Sequence, residues 1–208
     1  MTDTTPGPER IRLIALGDEL LAGIGDARVL GWIGRAVARH QQHRPIDLFT
    51  AALPGETSAG LAQRWDTTVA ERVDHAGLES GTVDHRVVLG LGSADITTGT
   101  SLARSRLNLA KVLDGLERAR IPAFVVGPPP SADRARTTAI RELSGAFDDV
   151  CSRRRVTYVD TVNALDGHEQ WVADLARTGT DLPGQTGYGL LAWLVLHGGF
   201  GSFLGTEA

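Results

Sequence analysis

Cysteine is nearly absent from the sequence, because Cys151 is the single cysteine among 208 residues. No disulfide framework can form within the chain, so we expect a cytoplasmic protein in a reducing compartment. We interpret Cys151 as a half-buried structural thiol. Residues 1–10 are polar and lack the apolar segment of a signal peptide, which predicts a flexible N-terminal tail. No apolar run approaches the length that spans a bilayer, so we expect no membrane partner.

An excess of positive charge is also missing, since 21 Lys and Arg residues stand against 25 Asp and Glu residues, for a net charge of -4. This balance gives no electrostatic reason to expect nucleic acid or an anionic membrane as a partner. Histidine and cysteine do not recur at metal-ligand spacing, so we predict neither a metal nor a cofactor. A small molecule or a protein is the expected partner, and the sequence does not indicate an oligomeric state.

Short apolar runs alternate with amphipathic stretches along the chain. The runs predict five strands, at Ile11–Leu16, Ile46–Leu53, Arg86–Leu91, Ile121–Val126 and Val156–Val159. The stretches predict five helices, at about Val29–His43, Ser58–His75, Leu102–Arg120, Arg134–Arg153 and Thr186–Phe203. The alternation favours one α/β domain over residues 11–208, in which a five-stranded parallel sheet is covered by helices on both faces. Ligands of such sheets bind at the carboxyl ends of the strands, so we expect Gly17, Gly55, Gly92 and Gly127 at the functional edge.

The loops after these strands carry a family resemblance. Gly17-Asp18-Glu19-Leu20 resembles the Gly-Asp-Ser-Leu block of the SGNH (GDSL-type) esterases and lipases. The segments 53–59, 88–95 and 127–130 are similar to the later blocks of that family, in the same order. The resemblance covers nearly the whole chain and implies the flavodoxin-like, three-layer SGNH-hydrolase fold.

The catalytic positions that the resemblance implies are substituted. Glu19 stands at the nucleophile's position, and Ala94 stands where the family has the asparagine of its oxyanion hole. When the last block is anchored on Pro183, Gly179 falls at the position of the aspartate and Leu182 at that of the histidine. A shift that places Asp181 at the aspartate's position still restores no histidine.

Acyl transfer needs a hydroxyl nucleophile, a histidine, an orienting carboxylate and oxyanion donors. Of these four groups, the resemblance leaves only oxyanion donors in place, namely the backbone N–H groups of Gly55 and Glu19. We therefore expect esterase activity near background. Among the histidines only His168 follows a strand on the functional side, and we interpret it as a solvated loop residue, with catalysis as the alternative. Ser58 and Ser131 are expected to cap helices.

A further serine, Ser93, lies in the loop after the third strand and carries no specific signal.

Glu19 is the most informative substitution. It either fills the oxyanion hole with its own negative charge or provides a working carboxylate that binds a cationic or hydroxylated ligand. Asp18 and Asp95 match positions that hold neighbouring loops by hydrogen bonds, which leaves Glu56 and Asp181 as the other acidic candidates.

Three functions remain open at this point. The first is a pseudoenzyme that binds a small molecule or partner at the carboxyl edge of the sheet. The second is a hydrolase of ester or glycosidic bonds with rewired chemistry, in which Glu19 acts with Asp181 or His168. The third is a structural role for the scaffold, and the environment of the Glu19 carboxylate discriminates between them.

Overall fold

The computed structural model describes residues 10–41, 44–73 and 83–206. Five strands form one sheet: β1 (Arg10–Gly17), β2 (Ile46–Ala52), β3 (Val83–Gly90), β4 (Ala123–Val126) and β5 (Thr157–Val159). Their spatial order is β2-β1-β3-β4-β5, and every neighbouring pair is parallel. The predicted five-stranded parallel sheet is therefore confirmed, with Gly17, Gly55, Gly92 and Gly127 at or just beyond the carboxyl ends of the strands.

Ten α-helices surround this sheet within the described residues, and a π-helical segment, Leu196–Phe200, lies between the last two. They are α1 (Glu19–Ala22), α2 (Gly31–His40), α3 (Ser58–Val73), α4 (Ser93–Thr97), α5 (Leu102–Arg118), α6 (Arg134–Ser152), α7 (Thr161–Leu165), α8 (Glu169–Thr178), α9 (Gln185–Val195) and α10 (Gly201–Leu204). Helices α3, α5 and α6 cover one face of the sheet, and α2, α8 and α9 cover the other. This is the predicted three-layer arrangement.

The side chains of β1 show why the sheet is buried on both faces. Leu13 and Ala15 belong to the core under α2 and α9, whereas Ile14 and Leu16 belong to the core under α3, α5 and α6. Successive residues of a strand point to opposite faces, so a continuous apolar run supplies both cores at once. Burial of these aliphatic side chains is the main favourable contribution to folding.

The order of the strands fixes where the cleft opens. The chain passes from β1 to β2 on one side and later adds β3 on the other, so the direction of winding reverses between β1 and β3. Ligands of open α/β sheets bind beside such a reversal. Gly17 pairs with Gly90 at this point, and a Cβ on Gly17 would overlap the carbonyl oxygen of Gly90. The strands can therefore come together here only because residue 17 has no side chain.

Several sequence-based boundaries were wrong. Arg10, assigned to the flexible tail, is the first residue of β1, and the rest of that tail lies outside the described residues. The last helix is not continuous to Phe203, because Gly198 and Gly199 leave the helical conformation, the latter with φ of 93°. Helix α8 was not predicted, although Trp171 and Leu175 are buried at helical spacing. His43 and His75, predicted to end the first two of the five helices, also lie outside the described residues.

Two expectations about apolar groups also need correction. Cys151 is fully buried in α6 rather than half-buried, and burial raises the pKa of its thiol to about 12. The segment Gln185–Leu204 is apolar enough to span a bilayer by composition and length, with a mean hydropathy of 1.2 over its best window. Its side chains Tyr188, Leu191 and Phe200 are buried against the sheet, so it packs here as a core segment.

Candidate functional site

Glu19 lies at the carboxyl end of β1, as the first residue of the short helix α1. Asp18 precedes it in an extended conformation and accepts a 3.1 Å hydrogen bond from the N–H of Leu20 through Oδ1. This is the geometry of an N-cap, which satisfies a backbone donor at the start of the helix. The helix ends after one turn at Gly23, which has φ of 75°. The strand and the cap together hold Glu19 over the edge of the sheet.

The carboxylate of Glu19 is bound to the second loop of the site. Its Oε2 accepts a 2.7 Å hydrogen bond from the backbone N–H of Gly55. The resemblance assigns this N–H to the oxyanion hole, where it would stabilise the negative oxygen of a tetrahedral intermediate. In this protein the N–H of Gly55 already donates to a negatively charged oxygen of Glu19. The other carboxylate oxygen, Oε1, has no hydrogen-bond partner among the described residues.

A groove with a volume of about 90 Å³ opens beside Glu19. Its lining consists of Glu19, Leu20, Ser93, Pro129, Pro130, Ser131, Arg136, Ile140, Asp181 and Leu182. The structure thus brings together four of the residues singled out from the sequence, Glu19, Ser93, Asp181 and Leu182. None of the lining residues in the described part of the chain is a histidine.

Asp181 is held in place from the loop after β4. Its Oδ1 accepts hydrogen bonds from Ser131 Oγ at 2.7 Å and from the N–H of Ala132 at 3.1 Å. Arg136 approaches Asp181 Oδ2 through Nε at 3.4 Å and donates from Nη2 to the carbonyl oxygen of Ser93 at 3.2 Å. Arg136 therefore joins the third and last loops, and the carboxylate of Asp181 is largely engaged.

Asp18, which precedes Glu19 in the chain, has an unusual electrostatic environment. Its side chain is buried, and Oδ2 has no hydrogen-bond partner in the described part of the chain. Burial, followed by the negative charge of Glu19, raises the pKa of Asp18 to about 7. The N-cap bond to Leu20 acts in the opposite direction but is outweighed. Near neutral pH this carboxyl group therefore exists in both charged and neutral forms.

Glu56, the other acidic candidate, is engaged within the protein and does not line the groove. Its side chain is buried, and Arg64 of α3 binds both carboxylate oxygens, with Nε donating to Oε1 at 2.6 Å and Nη2 to Oε2. Arg64 also donates to the carbonyl oxygen of Ala51 at 2.7 Å. A bidentate pair of this kind fixes the second loop against α3.

Asp95 has the loop-holding contact expected of it, because its buried Oδ1 accepts a 2.8 Å hydrogen bond from the N–H of Ser58. The predicted serine caps were wrong. Ser58 is the first residue of α3, and its hydroxyl accepts a hydrogen bond from the side chain of Asn108. Helix α6 is capped by Asp133 and not by Ser131. The Oγ of Ser131 instead accepts a 3.0 Å hydrogen bond from the N–H of Asp133.

The last block carries a buried carboxylate that sequence reasoning missed. Asp174 of α8 accepts hydrogen bonds from the N–H groups of Gly184 and Gly187 at 2.6 and 2.9 Å and pairs with Arg177. These bonds hold the start of α9, where negative charge is favoured. A weak signal for it was present, because an acidic residue stands on the apolar face of an amphipathic stretch.

The remaining predicted positions lie outside the groove. Gly179 ends α8 in a left-handed conformation, with no atom within 4 Å of where a Cβ would be placed. Ala94 is buried in the first turn of α4. His168 precedes α8 and does not line the groove, and its buried Nδ1 has no partner in residues 10–41, 44–73 and 83–206. The pairing of Glu19 with His168 is therefore not supported.

Comparison with known proteins agrees with this architecture. A model of the GDSL-like lipase/acylhydrolase family matches residues 15–190. The crystal structure of TesA has a TM-score of 0.72 and 21% identity, covering 90% of this chain and 97% of that one. Axe2, an acetylxylan esterase from Geobacillus stearothermophilus, has a TM-score of 0.72 and 17% identity, with 97% and 95% covered. The lipase/acylhydrolase from Enterococcus faecalis has a TM-score of 0.72 and 22% identity, with 95% and 99% covered. No curated protein sequence matches the chain.

Proposed function

This chain belongs to the GDSL-like lipase/acylhydrolase family, and we propose that it is a non-hydrolytic member that binds a small molecule in the groove beside Glu19. The observation that carries the proposal is the 2.7 Å hydrogen bond between the N–H of Gly55 and Glu19 Oε2. Loss of one oxyanion donor lowers turnover by about 10²–10³, and loss of the nucleophile and its base lowers it further in a non-additive way. Residual ester hydrolysis is therefore expected near the uncatalysed rate.

The groove favours a ligand that donates hydrogen bonds. Glu19 Oε1 accepts no hydrogen bond among the described residues, and Asp181 adds a second carboxylate to the lining of the groove. Arg136 is the one cation of the lining within the described residues, and it is engaged by Asp181 and the carbonyl of Ser93. A small ligand with ammonium or hydroxyl groups fits this charge distribution better than an anion does.

The rewired hydrolase has less support. A pair of catalytic carboxylates needs one member that delivers a proton and one that attacks or activates water. Asp181 receives hydrogen bonds from Ser131 and Ala132, and Glu19 is bound by Gly55. Both groups are thus fixed by the protein's own donors.

Chemical labelling tests the proposal. Incubation with a fluorophosphonate probe should leave the protein unlabelled, and hydrolysis of a p-nitrophenyl acetate solution should match a buffer control.

A thermal shift tests ligand binding. Ethanolamine, which carries both an ammonium and a hydroxyl group, should raise the melting temperature of the parent more than that of Glu19→Gln. Stoichiometric labelling of Ser93 or another serine, or ester turnover that Glu19→Gln abolishes, would establish a working enzyme instead.

A further inference from the structure

A second and larger pocket lies at the opposite edge of the sheet. Its volume is about 570 Å³, within the range of about 300–1,000 Å³ that is typical of small-molecule sites. The segments Ile121–Ala123 and Val156–Thr157, which lead into β4 and begin β5, form part of its wall. The pocket therefore opens at the amino ends of the strands, away from Glu19, and it does not depend on the function proposed for the groove.

The floor of this pocket is apolar. Leu113 and Leu116 of α5 are almost fully buried, and Ile121, Val156 and Phe203 are partly buried around them. An apolar body placed on the partly buried side chains of Ile121, Val156 and Phe203 would remove hydrocarbon surface from water, which favours binding. The apolar floor alone would accept many ligands, so the charged groups around it determine which class of ligand the pocket binds.

Four arginines surround the floor, and two of them already have partners. Arg86 is bound by Asp84 and lies 5.5 Å from the centre of the Phe203 ring. Arg154 forms a two-point contact with Asp114, through Nε at 2.6 Å and Nη2 at 3.2 Å. Each of these two inner arginines therefore pairs with a carboxylate, and Asp84 also pairs with Arg44 at 3.2 Å.

The other two arginines, Arg120 and Arg155, have no ion pair or side-chain hydrogen bond anywhere in the described residues. Both are exposed at the rim, and both adopt a left-handed backbone, with φ of 58° and 54°. Among described residues other than glycine, only Val29 shares this property. Two of three such residues thus meet at one pocket, and strained backbone of this kind concentrates at ligand sites.

The two rim arginines occupy equivalent places in the chain. Arg120 follows the end of α5, and its backbone N–H donates to the carbonyl oxygen of Glu117. The N–H of the next residue, Ile121, donates to the carbonyl oxygen of Leu116. Arg155 follows α6 with the same pattern. This is the Schellman motif, whose left-handed position is normally glycine because a Cβ is unfavourable there. Arginine is therefore the less stable choice at both helix ends.

The helix dipoles do not explain why arginine occupies positions 120 and 155. A helix end carries about -0.5 of a charge and favours a nearby cation, but Arg118 and Arg153 already supply one at each end in an ordinary helical conformation. Arg120 and Arg155 each add a whole positive charge, which exceeds the opposing partial charge of the helix end. Glu117 is the one carboxylate in the described lining, and it is exposed.

We propose that this pocket binds an amphipathic organic anion, whose apolar body lies on Ile121, Val156 and Phe203 and whose carboxylate or phosphate is held between Arg120 and Arg155. A guanidinium group offers paired N–H donors that match both headgroups. The inner arginines, which already pair with Asp84 and Asp114, would line the path to the headgroup.

Calorimetric titration with three eight-carbon probes tests the ligand class. Octanoate and octyl phosphate carry the two candidate headgroups, and octylammonium carries the same chain with the opposite charge. We expect at least one anion to bind, and whichever binds more tightly identifies the headgroup. The cation should bind at least about tenfold more weakly, a difference of about 1.4 kcal/mol. If neither anion binds, or if octylammonium binds as tightly, the proposal is wrong.

Substitution to glycine separates binding from structure. Arg120→Gly and Arg155→Gly should each weaken anion binding by about tenfold, the order expected for one charge-assisted hydrogen bond. Both should keep or raise the melting temperature, because glycine accepts the left-handed conformation. Arg118→Gln, which removes a charge outside the lining, should leave binding unchanged. A double glycine variant that binds as the parent does would overturn the proposal, and Arg120→Asn with Arg155→Asn provides the same test if that variant does not fold.

Discussion

Glu19 and Gly55 are joined across two loops that lie 36 residues apart in the chain, by a 2.7 Å bond from a backbone N–H to a carboxylate oxygen. The bond links the end of β1 to the loop after β2. At the position where the resemblance places the family's nucleophile, the Glu19 carboxylate connects two segments of the site.

Removal of this charge should destabilise the fold. Glu19→Gln replaces a charge-assisted hydrogen bond by a neutral one, so the free energy of unfolding in urea at pH 7 should fall by about 1 kcal/mol. Glu142→Gln, at an exposed position of α6, is the matched control and should change little. A Glu19→Gln protein more stable than the parent would favour the working acidic site over the pseudoenzyme.

Asp18 should make stability depend on pH. Because its folded pKa is raised from 3.8 to about 7, its stabilising neutral form is fully present below pH 3.8 and is lost as pH rises through 7. Asp18→Asn keeps an oxygen for the N–H of Leu20 but cannot ionise. The variant should match the parent near pH 4 and be more stable above pH 8 by a few kcal/mol, since each tenfold change in the protonation equilibrium corresponds to about 1.4 kcal/mol. If urea denaturation gives the same difference in free energy of unfolding between the variant and the parent at pH 4.5 and at pH 8.5, this prediction is wrong.

Serine chemistry should return only when base and nucleophile are restored together. Glu19→Ser alone supplies a hydroxyl with no histidine among the described residues of the groove, so a fluorophosphonate probe should not label it. The triple variant Glu19→Ser, Gly179→Asp, Leu182→His should become labelled, because Leu182 lines the groove and Gly179 has open space for a side chain, although its φ of 67° makes a side chain there less favourable than glycine. Labelling measured by intact-mass spectrometry decides the outcome. Labelling of the single variant would reveal a base that these residues do not provide.

The Glu56–Arg64 pair should couple strongly in stability. Glu56→Gln leaves Arg64 without its charged partner, and the expected loss is about 2 kcal/mol, reduced from the value for fully buried pairs because Arg64 is partly exposed. Glu56→Leu with Arg64→Met should recover part of this loss. A double-mutant cycle in urea measures the coupling energy, and strictly additive losses would show that the pair does not act as a unit.

The sheet and the position of Glu19 were readable from the sequence because both depend on local patterns. Apolar runs specify strands, and the block Gly17-Asp18-Glu19 directly follows one. The engagement of Glu56 was not readable, because its partner Arg64 lies on a helix whose rotation depends on packing. The same holds for Asp181, which meets Ser131 across 50 residues of chain. Left-handed arginines carry no pattern at all, since the conformation normally selects glycine.

The break at Gly198 and Gly199 limits how far the apolar C-terminal segment can extend as a rod. The unbroken helix α9 has 11 residues, which corresponds to about 16 Å at a rise of 1.5 Å per residue. The hydrocarbon layer of a bilayer is about 30 Å thick. In the folded protein, the straight part of this segment would therefore reach only about halfway across such a layer, and it would have to straighten through both glycines to reach the far side.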